Sequence, residues 1–175
     1  AALTLALLLP AARADQMAMS EPPAGSAKVV ATDAALRGLW HDHIFWVRNV
    51  VVATLAKRPA EAKTAEAQVV ANAHGIADAI KPFYGDAAGE ALFPLLAGHY
   101  GAVKAYLTAA AKGDKKGEDQ ATNDLLANAD KIATFLSGAN PNLPKDTLLG
   151  LLQAHGSHHI AQIQELKAGQ YDAEA

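Results

Sequence analysis

Leu36-Arg37-Gly38-Leu39-Trp40-His41-Asp42-His43 decides how this chain is read, because its frame returns twice at one interval. Leu36, Leu39 and His43 are followed 56 residues later by Leu92, Leu95 and His99, and after a further 56 by Leu148, Leu151 and His155. Asn72 and Asn128 are also 56 residues apart, each 29 residues after the preceding histidine of the series. Leucine coincidences are cheap in so leucine-rich a chain. Histidine is 7 of 175 residues, so two further matches at one interval have odds of about 0.04 × 0.04. The interval reads as one helical hairpin, present two and a half times.

Within the quoted stretch and just beyond it, Leu36, Leu39, Trp40, His43, Val47, Val50 and Val51 fall three or four residues apart. That spacing is one stripe of an α-helix, with His43 inside the stripe. Thr32 or Asp33 offers an N-cap and Pro59 a stop, so the first helix is expected over about residues 32–57. A second helix, carrying Val69, Val70, Ala73, Ile76 and Ile80, is expected to end before Pro82. Asp86 then caps a third, over about residues 87–112, which Pro94 should kink or divide. A fourth covers about residues 116–137, and Pro144 opens a fifth that runs to about 167. Short connections make consecutive helices antiparallel. The expected fold is all-α: a single up-and-down bundle of about five helices spanning residues 32–170.

Composition narrows the class. With 175 residues and 51% hydrophobic content the chain can bury one domain core. A net charge of −3 without a basic stripe argues against nucleic acid as a partner. Absence of cysteine removes thiolate metal sites and leaves imidazole, carboxylate and amide as ligands. Residues 1–14 pair an apolar run, broken by Pro10, with the small-x-small pattern Ala12-Arg13-Ala14. They read as the remnant of a signal peptide, which points to a periplasmic or secreted protein with no transmembrane segment in its mature form. Residues 15–31, with Met17, Met19, Pro22, Pro23 and Gly25, read as a flexible leader.

His43, His99 and His155 lie at similar depths along their helices, and Asn72 and Asn128 lie midway along the returning ones, so all five should share one layer. His159 stands one turn after His155, a spacing at which two side chains meet one ion. His43, His99, His155 and His159 are therefore candidate ligands for Cu or Zn. Asn72, Asn128, Trp40 and Tyr100 are candidates to contact the ion's ligands or a small bound molecule. An equally direct reading makes the His–Asn layer structural, with each amide satisfying a buried imidazole and setting helix register. Trp46 and Tyr106 belong with Trp40 and Tyr100 as candidate pocket aromatics. Asp42, Glu90, Asp130 and Glu165 could join the layer, but the E-x-x-H pairs of di-iron bundles are missing. Nucleophile-elbow and phosphate-loop patterns are missing too.

Several frames carry a resemblance: Leu39-Trp40-x-x-His43-x-x-Trp46-x-Arg48, Ile80-Lys81-Pro82-Phe83-Tyr84-Gly85, Leu95-Leu96-x-x-His99, and Asn128-Ala129-Asp130-Lys131-Ile132-Ala133-x-Phe135-Leu136 with Ala139-Asn140-Pro141-Asn142 after it. Over residues 36–171 the chain resembles a family of small bacterial helical proteins to which no single activity is attached. The resemblance implies the helical fold and the importance of the histidine layer, and names no substrate. Val47 and Pro94 stand where the family's pattern has threonine.

Taken together, the residues lead to an exported binding protein that holds a transition metal or small ligand without catalysis. The alternatives are a structural or interaction module, and a metal-dependent hydrolase.

Overall fold

The computed structural model describes residues 24–174; the expected signal remnant and the first part of the expected leader lie outside them. Among the described residues the structure is helical throughout, without strands. Five long helices carry it: α1 (Ala24–Leu55), α2 (Pro59–Ala79), α4 (Asp86–Lys112), α5 (Lys115–Ala139) and α6 (Lys145–Ala168). Two four-residue helices, α3 (Lys81–Tyr84) and α7 (Tyr171–Glu174), complete the order.

The boundaries follow from local chemistry, with corrections to the expected caps. Asp33 is not a cap, because α1 begins at Ala24, within the stretch expected to be a leader. Its carboxylate instead pairs with Arg37 one turn on, at 2.8 Å. Asp86 is the first residue of α4 rather than its cap, which is Gly85 at φ 83°. Pro144 precedes α6 as its cap instead of opening it. Pro94 neither ends nor divides α4, which runs unbroken through it; the chain break falls earlier, at the left-handed Gly85. Asp114 behaves as a strong cap should, accepting from the Gly117 amide at 3.0 Å at the start of α5. Gly113 ends α4 in the left-handed region at φ 72°, letting the Asp114 amide reach back to the Ala109 carbonyl at 2.9 Å.

The long helices form a ring in the order α1, α2, α4, α5, α6, which α6 closes by packing on α1, while α4 and α6 also pack against each other across it. The connections are short, so direction alternates and the ring has two unlike ends. At one end meet the C-terminal halves of α1, α4 and α6 and the N-terminal halves of α2 and α5. Val47, Val51, Val69, Leu107 and Ile163 are sealed there, joined by Val50, Ala65, Val103, Tyr106, Ala110 and Leu125. The opposite halves of the same helices enclose a cavity.

Candidate metal centre

The histidines lie between these two ends. His43 on α1, His99 on α4, and His155 and His159 on α6 each present a ring nitrogen such that the four atoms lie within 4.8 Å of one another. Ring centroids are 5.4 Å apart for His99 and His155, 5.5 Å for His43 and His159, and 4.4 Å for His155 and His159. His43, His99 and His159 are buried, while His155 is half-buried. The sequence-expected ligand set is thus brought to one place, from three helices.

Four donors around one ion at a metal–nitrogen distance of ~2.0–2.1 Å would be about 3.4 Å from each other in a tetrahedron. The Nε2 atoms of His155 and His159 are 3.1 Å apart, already close to that edge. The wider pairs need a contraction of about 1.4 Å at most, within the range of small ring rotations.

The polar accounting of the cluster is unusual for a packed interior. His43 Nε2 and both ring nitrogens of His99 are buried with no hydrogen-bond partner. Buried polar atoms are nearly always paired, and each orphan costs about 1–3 kcal/mol. Burial lowers the basicity of all four rings, and the charges of neighbouring imidazoles lower it further. His43 is pushed down to about 4, His99 to about 3 and His159 to about 2, and His155 is also lowered. At neutral pH the site therefore offers four uncharged lone-pair donors.

Asn72 and Asn128 do something other than the expected imidazole bonding. Asn72 Nδ2 donates to the Leu39 carbonyl at 2.8 Å, and Asn128 Nδ2 donates to the Leu95 carbonyl at 3.0 Å. Each carbonyl belongs to the residue four before a site histidine, and is the one to which that histidine's amide bonds within its helix. The two amides clamp α2 to α1 and α5 to α4 at the height of the rings. Asn72 also lies near enough to His43 to offset part of its shift, yet its Oδ1, like that of Asn128, makes no hydrogen bond. Gly98 permits the α5 contact, since a Cβ there would stand 2.9 Å from Asn128 Nδ2. Sequence reading overlooked this glycine, although its place directly before His99 was a usable signal.

Trp40 stands at the rim, 42% exposed, its ring centroid 5.7 Å from those of both His43 and His155. It lines, with Tyr100, a cavity of about 170 Å³ that also touches His43, His99 and His155. The rest of the wall is apolar, including Ile76, Leu92, Leu96 and Ile132. Burial and the nearby Glu66 carboxylate raise the Tyr100 phenol well above its usual range. The other two aromatics belong elsewhere: Tyr106 sits in the packed end and accepts from Gln164 at 2.7 Å, and Trp46 packs against the same end and Phe45.

The four carboxylates weighed for the layer are not in the cluster; Asp130 pairs with Lys145 at 2.8 Å. Arg48 is bound by Glu174 of α7 through two 2.6 Å contacts, and Lys104 pairs with Glu66. No described helix is long and apolar enough to cross a membrane. Set beside known proteins, the chain matches no family model, no curated protein and no solved structure.

Proposed function

We propose that this chain is an exported binding protein that holds one transition-metal ion, Cu or Zn, at the four imidazoles and performs no catalysis there. The carrying observation is the convergence of four neutral ring nitrogens within 4.8 Å, with His43 and His99 buried without a ring partner and His155 and His159 bonded only to each other. A purely structural layer would pair those atoms. Here the amides that could have paired them spend their donors on backbone carbonyls instead. A bound ion would satisfy one nitrogen on each ring and offset the orphan cost. The hydrolase reading requires a carboxylate beside the metal, and the group of four contains none.

Metal analysis and titration of untagged protein test the reading. The expected outcome is one equivalent of bound metal, lost in His99→Ala and in His159→Ala, with thermal stabilisation of the wild type by metal. An excess of 100 times Kd adds about 2.7 kcal/mol. No affinity in the wild type, together with a large stability loss in His99→Ala, returns the layer to a structural role. Export is tested separately: sequencing the N-terminus of the native mature protein should place it near Asp15.

A further inference from the structure

We infer that the four-imidazole site selects the monovalent ion Cu(I) over a divalent ion such as Zn(II), an inference that rests on the metal-binding reading above. Both ions are d10 and have no ligand-field preference, so at one donor set they differ chiefly in charge.

Charge is what this site fails to compensate. Its donors are four neutral imidazoles without a carboxylate or thiolate. The titratable groups that couple to these rings are the rings themselves and His158, and none of them is an anion. Three carboxylates of the bundle are engaged by cations away from the rings: Glu66 by Lys104, Asp130 by Lys145 and Glu174 of α7 by Arg48. On one side the cluster faces the apolar cavity rather than polar groups. The cost of moving an ion into such surroundings grows with the square of its charge, so a divalent ion pays about four times the monovalent cost at equal radius. Zinc centres usually offset that cost with thiolate, carboxylate or bound hydroxide.

Geometry points the same way. His155 and His159 are the pair already at ligand spacing, and His43 and His99 stand further off. Copper(I) accepts two, three or four donors, so it tolerates such a graded set.

The test is an anaerobic titration of untagged, metal-free protein. Cu(I) competes against a chromophoric Cu(I) chelator, Ag(I) serves as a redox-inert mimic, and Zn(II) competes against a zinc indicator dye. The expected result is one Cu(I) per chain, displaced by Ag(I) and held at least ~1,000-fold tighter than Zn(II). His155→Asp places a carboxylate at the half-buried ligand and should lower the Cu(I)/Zn(II) affinity ratio by at least ~10-fold, whereas neutral His155→Asn should weaken both ions and preserve the ratio. Should His155→Asp lose its helical circular dichroism, Trp40→Glu supplies the carboxylate from the exposed rim, with the same expected fall in ratio. Zn(II) bound as tightly as Cu(I), or a ratio unmoved by the carboxylate, overturns the charge selectivity and leaves the metal site standing. Binding of neither ion, or binding untouched in His99→Asn and His159→Asn, overturns the site and the inference together.

Discussion

The two halves of the bundle are built from the same five helices and differ in how they fill their interior. In one, Val47, Val51, Val69, Leu107, Ala110 and Ile163 are almost completely sealed. In the other, the same helices surround a cavity of about 170 Å³ and four imidazoles, two of which, His43 and His99, carry orphaned nitrogens. The packed half holds the chain in register. The open half uses that register to hold four imidazoles beside a cavity. Tight packing and the polar cluster are thus segregated along the bundle axis, with the Asn72 and Asn128 clamps between them.

The sharpest way to break that contrast is acid. The four histidines have folded-state pKa values below their ordinary one, so the unfolded chain binds more protons as pH falls below about 6.5. Their contribution is fully present above that pH and is lost as pH falls toward the folded values, about 4 for His43 and 3 for His99. Each ring should remove about 1.4 kcal/mol per pH unit in that window, several kcal/mol in all. Denaturant melts of metal-free protein at pH 7 and pH 5 would show it, and His159→Leu should flatten the slope. A pH-independent melt would mean that the rings are solvated.

Truncation in the sealed half comes next. Leu107→Ala should cost about 2–5 kcal/mol at either pH without altering the acid slope. The same truncation at Leu136, which is half-buried against the cavity, should cost less. Equal losses would show that the two halves are equally packed.

The clamps should rank third. Asn72→Ala and Asn128→Ala each remove one buried donor to a backbone carbonyl, for about 1–3 kcal/mol apiece. Unequal costs, measured by denaturant midpoints, would separate the α1–α2 hairpin from the α4–α5 hairpin. The smallest expected effect is cavity filling. Ala73→Met, on the cavity wall, should stabilise by under ~1 kcal/mol, whereas Ala110→Met in the sealed half should destabilise by ~1–3 kcal/mol.

Much of this was legible in the residues. Apolar spacing and prolines located five helices, and the 56-residue interval singled out His43, His99 and His155. His159 was recoverable from i, i+4 spacing, because the helix itself makes those rings neighbours. Helix ends were less legible. Asp33 and Asp86 look like caps, but each sits inside a helix because neighbouring residues continue or begin the turn more cheaply.

What the sequence determined is periodicity: helix content, the direction of each hairpin, and the shared height of histidine and asparagine. These are local or one-dimensional properties, set by spacing along a helix of fixed rise. Only the tertiary structure decided what those polar residues do. Asn72 and Asn128 share a layer with the rings, yet they donate to the carbonyls of Leu39 and Leu95, a choice made by the approach of one helix to another, which Gly98 permits at Asn128. The cavity, the orphaned nitrogens of His99 and the exposure of Tyr100 but not Tyr106 to the cavity likewise depend on how five helices pack together. Spacing along a chain fixes where a side chain stands on its own helix, and packing between helices decides which partner it faces.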